Sequence, residues 1–180
     1  SVGTPCGSYR HPTNPGSGGS SIGGVGGYGG AALQLSADNL VLDGAITLNG
    51  HNSISKCSDV SLFGGGGSGG SILINTVTLS GEGIISTNGG KGSGCKMQYG
   101  GSGSGGRIAI FANFSTYTGS IYSYSPVFIN SWYTGAAGTV FLQTGSIFED
   151  TRYRRLISSN NGHRSDHQTL LEDFSRLQLE

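Results

Sequence analysis

One phrase of the sequence occurs twice, 39 residues apart. Residues 39–57 read NLVLDGAITLNGHNSISKC, and residues 78–95 read TLSGEGIISTNGGKGSGC. The copies share an aliphatic residue, an acid–glycine corner, a second aliphatic residue, an Asn-Gly pair and a late cysteine. The matching positions are Leu40 and Leu79, Asp43 and Glu82, Gly44 and Gly83, Ile46 and Ile85, and Asn49 and Asn88. Self-similarity at a period of roughly 20–50 residues indicates a repeat architecture whose units stack on one another.

Shorter matching phrases extend the repeat to four copies. Each copy begins with a glycine-rich run followed by alternating aliphatic residues, as in GGSILI, GGRIAI and AGTVFL. The spacing between copies falls from 39 to 36 to 32 residues, and the changes lie in the glycine-rich connections. Constant strands with variable connections are typical of a stacked architecture. The aligned aliphatic positions are Leu35, Ile74, Ile110 and Leu142 in the first strand, and Ile46, Ile85 and Ile121 in the second.

Each copy predicts two short β-strands. Aliphatic residues that alternate with other residues over so short a segment, many of them β-branched, indicate strands. Helices are disfavoured because glycine in a helix interior costs about 1 kcal/mol relative to alanine. We therefore predict an all-β fold: a β-solenoid, or parallel β-helix-like stack of two-strand coils with glycine-rich loops. The alternative is a glycine-rich antiparallel sandwich or a β-prism. Asn49-Gly50 and Asn88-Gly89 predict a turn after the second strand, and runs such as FGGGGSGG predict either loops or packed, extended polyglycine helices.

The repeat divides the chain into three parts. Residues 1–30 are a glycine-rich lead-in, residues 31–145 are the stacked core, and residues 146–180 are a charged segment that begins a further coil or joins another module. The copies within the core span residues 31–63, 64–100, 101–134 and 135–145. In the charged segment His163 and His167 have the spacing of metal ligands on a helix, whereas Asn161-Gly162 predicts a turn there.

The succession GGSILI, GEGIISTNGG, GGRIAI, YTGSIYSY and GAAGTVFL resembles the glycine-rich β-repeat modules of very large extracellular proteins. The resemblance covers roughly residues 26–180 and offers no catalytic residue to transfer. It implies a secreted or surface-displayed protein with a structural or adhesive role.

Composition narrows the classes of partner. Ten Lys and Arg balance ten Asp and Glu, and a neutral chain lacks the field that holds nucleic acid, so we predict no nucleic-acid binding. No apolar run approaches the ~20 residues of a spanning helix, so we predict no membrane span. Low charge favours association. The predicted partners are copies of the chain, adjacent modules of the same chain, or a polysaccharide.

The cysteines near the ends of the two phrases predict a cross-link. Cys57 follows Asn49 by eight residues, and Cys95 follows Asn88 by seven. Stacked strands lie ~4.8 Å apart, within the ~4.4–6.8 Å between Cα atoms of a disulfide. We therefore predict a Cys57–Cys95 disulfide, with pairing of Cys6 to either of them as the alternative.

Two pairs of side chains are candidate sites. Asp43 and Glu82 occupy equivalent corners, where two stacked carboxylates could bind Ca²⁺ or act as a general acid–base pair. The alternative is that they are two solvated turn residues. Tyr122 and Tyr124 point outward if Ile121 points inward, and they are candidate contacts for a glycan or for assembly; the alternative is that they cover the core. Apart from the Ca²⁺ candidate, we predict no metal or cofactor.

Two further residues carry predictions of their own. Asn113-Phe114-Ser115 is the only N-glycosylation sequon, so Asn113 is a candidate attachment site of a glycoprotein. Trp132 is predicted to be a core residue. The run GSGSGG precedes a strand instead of a helix, so we reject a nucleotide-binding loop.

The function expected from these features is non-enzymatic. We expect an extracellular structural or adhesive module, a scaffold or filament-forming repeat unit whose coils pair with further copies. The alternative is a carbohydrate-binding module or a polysaccharide-degrading β-helix, which would be a lyase or hydrolase. No catalytic residue is predicted.

Overall fold

The computed structural model describes residues 7–54, 63–95, 98–127, 131–145, 152–162, 164–167 and 169. These residues form an all-β fold, as predicted, with one short 3-10 turn at Ser131–Tyr133. No helix among them is long and apolar enough to cross a membrane. The strands are β1 (Ser21–Ile22), β2 (Ala32–Val41), β3 (Ala45–Thr47), β4 (Phe63–Gly64), β5 (Ser71–Ser80), β6 (Ile84–Ser86), β7 (Gly94–Cys95), β8 (Gln98–Tyr99), β9 (Arg107–Ser115), β10 (Ser120–Tyr122), β11 (Thr139–Thr144) and β12 (Tyr153–Ile157).

The largest sheet contains the first strand of every copy of the repeat. Its order is β12-β11-β9-β5-β2, and the four strands from β2 to β11 are parallel to one another. Leu35 pairs with Ile74, Ile74 with Ile110, and Ile110 with Leu142, so the predicted column is confirmed. Parallel neighbours must be joined by crossover connections, which the second strand and the glycine runs provide.

A three-stranded parallel sheet, in the order β10-β6-β3, contains the second strands. Ile46 pairs with Ile85 and Ile85 with Ile121, so the second predicted column is confirmed as well. The two columns pack in one core with Ile72, Leu79, Ile108 and Val140. The remaining described strands form two antiparallel pairs, β1 with β4 and β7 with β8.

The glycine runs are extended segments that hydrogen-bond laterally to one another. The donors to any one neighbouring segment recur at every third residue, which matches the about three residues per turn of a polyproline II helix. They therefore pack as extended polyglycine helices, the second of the two predicted structures. The bonds between successive coils, donor first and each 2.9 Å long, include Gly27 to Gly65, Gly30 to Ser68, Gly66 to Gly101 and Gly69 to Ser104.

Close packing between these segments requires glycine. A Cβ atom placed on Gly67 would overlap the backbone carbonyl of Tyr28, and one on Gly69 would overlap the carbonyl of Thr87. Backbones that approach so closely leave no room for any side chain. Glycine at these closely packed positions is therefore a packing requirement of this fold.

The lead-in folds back over the outer face of the large sheet. Tyr9 is buried there with Leu73, Ala109 and Phe141, and its ring meets that of Phe141 edge-on at 5.7 Å between centroids. These residues form a second apolar cluster on the opposite side of the sheet from the main core.

The chain reverses direction after β11. Strand β12 pairs antiparallel with β11, with Val140 opposite Ile157. The predicted turn that follows is confirmed, since Asn161 and Gly162 have φ values of 53° and 80°. Residues 146–151 and 170–180 lie outside the described residues, and the role of the C-terminal segment as a further coil or joint stays a prediction.

Candidate functional site

Asparagine side chains connect each coil to the next. The Oδ1 atom of Asn49 accepts hydrogen bonds from the backbone N–H of Asn88 at 2.7 Å and from the hydroxyl of Ser86 at 2.9 Å. One coil later, Oδ1 of Asn88 accepts a bond from the N–H of Tyr124 at 3.0 Å. The predicted Asn-Gly turns are therefore wrong: the segments after β3 and β6 continue in extended form, and each amide binds the neighbouring coil.

Three other short polar side chains make the same kind of bond across 39 residues. Each places an oxygen against a donor of the following coil. Together with the asparagines above, they fix the vertical register of the first two coils through side chains as well as through backbone pairing. The donors and acceptors are Lys91 N–H to Asn52 Oδ1 at 2.7 Å, Thr78 Oγ1 to Asn39 Oδ1 at 2.6 Å, and Glu82 N–H to Asp43 Oδ1 at 3.2 Å.

The candidate calcium corner contains little beyond its two acids. Asp43 and Glu82 are both exposed, and Asp43 uses one oxygen to accept the bond from Glu82 N–H. Within the described ranges, no three His, Cys, Asp or Glu residues come together as a metal-binding group. This geometry accounts for Asp43 as a link between coils, and the Ca²⁺ site stays a prediction.

Tyr122 and Tyr124 lie together at the edge of the small sheet. Their ring centroids are 6.1 Å apart at an interplanar angle of 83°, an edge-to-face pair. Tyr122 is 39% exposed, whereas Ser123 between them is buried and donates a hydrogen bond to the carbonyl of Gly106 at 2.7 Å. The pair therefore presents aromatic surface outward, and its contact with a glycan or with another subunit stays a prediction.

The prediction that Trp132 belongs to the core is wrong. Its side chain is 75% exposed, on the 3-10 turn that carries it. The neighbouring Tyr133 turns inward and meets the ring of Tyr99 edge-on, at 5.6 Å between centroids. The inward position of this short turn is thus taken by Tyr133.

The predicted disulfide falls largely outside the described residues. Cys6 and Cys57 are not among them, and Cys95 is placed only as a backbone partner of Gln98 in the β7–β8 pair.

His163 also lies outside the described residues, so the proposed histidine pair stays a prediction. Asn113 is exposed near the end of β9, and its glycosylation stays a prediction.

The first coil of the stack has an uncovered outer side. Strand β2 stands at the edge of the large sheet and β3 at the edge of the small one, and no other described strand pairs with their outer sides. Four of the five first-coil members of the core are only partly buried, the exception being Leu42, whereas Ile74 and Ile85 of the next coil are fully buried. We call the outer side of β2 and β3, together with these half-covered residues, the open coil. Its half-covered residues are Leu35, Leu40, Ile46 and Leu48.

The two ends of the stack differ. At the far end of the large sheet, β12 covers β11 over the five residues from Tyr153 to Ile157. The open coil has no equivalent cover among the residues that the structure describes.

Comparisons with protein-family models, with curated proteins and with solved structures gave no match. Functional reasoning therefore starts from the open coil, the cross-coil hydrogen bonds and the exposed side chains.

Proposed function

We propose that this chain is a non-enzymatic, extracellular structural or adhesive module built as a β-solenoid, and that its open coil joins it to a second copy or to an adjacent module of the same kind. The observation that carries the proposal is the outer edge of the ten-residue strand β2, which pairs with β5 on one side and with no described strand on the other.

The backbone of β2 presents free groups along this edge. Ser71 N–H donates to the carbonyl of Ala31, and the parallel pattern then directs Leu33 and Leu35 toward β5. In this first part of β2 the alternate residues Ala32, Gln34 and Ser36 direct their N–H and C=O groups away from β5. An unpaired edge of this length is a template for strand addition.

Apolar burial favours the same contact. Covering the half-exposed Leu35, Leu40 and Ile46 with another coil would give them the environment that Ile74, Leu79 and Ile85 have in the next coil. Burial of apolar surface stabilises by roughly 25 cal/mol per Å². Polar backbone pairing and apolar contact thus support one and the same interface.

The far end restricts which assemblies can form. Because β12 covers β11, a second copy meets an open ten-residue edge only at another β2. Pairing of two β2 edges is self-complementary and gives a closed dimer. Growth into a filament would need the three-residue edge of β10 at Ser120–Tyr122 as well.

The extracellular assignment has separate support. The sequence resembles the glycine-rich β-repeat modules of large extracellular proteins, and the sequon at Asn113 is exposed. The pair of cysteines at equivalent places in two copies suits an oxidising compartment.

A proline on the open edge tests the proposal. Proline is tolerated in an edge strand where its missing N–H would face solvent, so Gln34→Pro should leave the stack folded and block strand addition. Gln34→Ala keeps the N–H and is the matched control. Sedimentation velocity over a concentration series, with negative-stain microscopy, should show association for the parent chain and for Gln34→Ala, and monomers for Gln34→Pro.

Two outcomes would contradict this assignment. One is a parent chain that remains monomeric at every concentration. The other is association that Gln34→Pro leaves unchanged while circular dichroism shows the variant folded.

A second candidate function, binding of a saccharide, is favoured by a groove on the outer face of the large sheet. The groove contains one carboxylate, that of Asp38, so binding suits it better than the paired-carboxylate chemistry of polysaccharide hydrolysis.

A further inference from the structure

A groove of about 740 Å³ crosses the outer face of the large sheet, on the side opposite the main core. It lies beside the lead-in, and strands β2, β5, β9 and β11 form its floor. The side chains that matter to its chemistry are His11, Asp38, Asn75, Phe111, Asn113 and Gln143.

One register row contributes a residue from each of the four floor strands. Ser36 pairs with Asn75, Asn75 with Phe111, and Phe111 with Gln143. Their chain neighbours Ile74 and Ile110 are buried in the main core, so this row faces outward. With strands ~4.8 Å apart, four residues in a row span roughly 14 Å. The groove therefore offers a line of different side chains long enough for an extended ligand.

The aromatic residue of the row, Phe111, is held in place by two neighbouring rings, and His11 stacks against one of its faces. The Phe111 ring lies 5.9 Å from the His11 ring at an interplanar angle of 12°, and 5.5 Å from the ring of Phe141. Arg154 Nε donates to Oε1 of Gln143 at 3.1 Å, which orients that amide. A ligand would meet these groups already arranged, so little ordering would oppose binding.

Two polar side chains of the groove, one in the row and one beside it on β2, have unused hydrogen-bonding capacity. Among the described residues, the side chains of Asn75 and Asp38 make no hydrogen bond or ion pair. An amide offers two donors and an acceptor, and a carboxylate offers two acceptor oxygens. These groups can serve a ligand that carries many hydroxyls.

We propose that this groove binds a neutral oligosaccharide. A pyranose ring has an apolar C–H face, which suits an aromatic side chain, and a rim of hydroxyls, which suits amides and carboxylates. None of the lining residues is Lys or Arg, Asp38 would repel an anion, and the nearby Arg154 already donates to Gln143, so we expect a neutral ligand to bind better than an acidic one. The site lies on the large sheet, apart from the Tyr122–Tyr124 pair on the small sheet.

The experiment uses the full chain produced in bacteria, because a glycan attached to Asn113 would itself enter the groove. The probes are cellohexaose, chitohexaose and mannohexaose, with oligogalacturonate as the anionic comparison. Proton–nitrogen correlation spectra follow the side-chain amides of Asn75 and Gln143 during each titration. We expect saturable shifts of these amide signals with at least one neutral probe.

The variants test which residues contact the sugar. Phe111→Leu keeps an apolar side chain but removes the aromatic face, and should weaken binding about three- to tenfold. Asn75→Ala should weaken it several-fold by removing hydrogen bonds. Phe114→Leu is the matched control on the same strand, since Phe114 is exposed and outside the groove, and should bind like the parent chain.

Four results would overturn the proposal. They are the absence of saturable shifts with all three neutral probes, tighter binding of oligogalacturonate, affinity unchanged in both Phe111→Leu and Asn75→Ala, and binding lost in Tyr122→Ala but kept in Phe111→Leu. If Phe111→Leu does not fold, Asn75→Ala alone decides the third of these. Gln34 does not line the groove, so failure of saccharide binding and failure of edge-to-edge assembly are separate outcomes.

Discussion

Replacement by alanine should destabilise the protein strongly at one glycine of an extended run and hardly at all at another glycine of the same run. Gly67 lies at the centre of the glycine segments, where an added Cβ would overlap the carbonyl of Tyr28. Gly65, two residues earlier, is different: its Cβ would meet the carbonyl oxygens of Ser20 and Gly101 at 3.5 Å, an ordinary van der Waals distance. Gly65→Ala is therefore a matched control for Gly67→Ala.

The magnitude follows from what the overlap displaces. Gly67 N–H donates to the carbonyl of His51 at 3.0 Å, and its own carbonyl accepts from Gly90 N–H at 2.8 Å. Moving this backbone aside would weaken both bonds, at about 0.5–1.5 kcal/mol each, and overpacking adds about 1–3 kcal/mol. Alanine also lowers the conformational entropy of the unfolded chain, which raises the free energy of unfolding by about 0.4–1 kcal/mol. The expected loss of stability is about 2–5 kcal/mol for Gly67→Ala, against a change within about 1 kcal/mol for Gly65→Ala.

The assay is urea denaturation followed by circular dichroism, with free energies of unfolding extrapolated to water. Equal unfolding midpoints for the two variants would refute the idea that lateral contact between backbones dictates glycine here. So would a Gly67→Ala variant that is as stable as the parent chain.

Two further predictions concern single side chains. Asn49→Ala removes the acceptor for both Asn88 N–H and the Ser86 hydroxyl and should lower the free energy of unfolding by about 1–3 kcal/mol. The control is Asn14→Ala, an exposed change in the lead-in that should have a smaller effect. Equal losses of the two variants in urea denaturation would contradict the structural role of Asn49. Burial raises the pKa of Tyr117 above its ordinary 10.0, so the folded state holds the phenolic proton more tightly, and the contribution of Tyr117 to stability should be constant below that pH and fall as the pH rises past it. Tyr117→Phe should flatten this fall in urea denaturation at alkaline pH, and an unchanged slope would refute the assignment.

The interior of the stack could be predicted from the sequence because aliphatic residues recur at spacings that only in-register stacking satisfies. Ile74, Ile85 and Ile110 are buried where that reasoning places them. The result follows from one physical requirement, that each coil buries its apolar face against the next.

The polar and peripheral features were harder to predict because they depend on contacts between parts of the chain that do not repeat. The Asn49 amide was interpreted through local turn chemistry, although its recurrence as Asn88 at the repeat distance was a signal for a bond between coils. Tyr9 and His11 gave no signal, since nothing in the lead-in identifies the face that it covers. Burial of Tyr133 instead of Trp132 is likewise decided by the distant ring of Tyr99.

The chain of asparagine amides has a direction and a last member. Asn49 binds the coil of Asn88, Asn88 binds the coil of Tyr124, and at that third level a tyrosine replaces the amide. The next backbone donor, Ser125 N–H, is satisfied from the C-terminal segment by Oδ1 of Asn160 at 3.0 Å. A copy that carries this asparagine can accept a donor from the coil above it, so duplicating residues 64–100 should add one coil to the stack while the first coil and the last coil keep their present contacts.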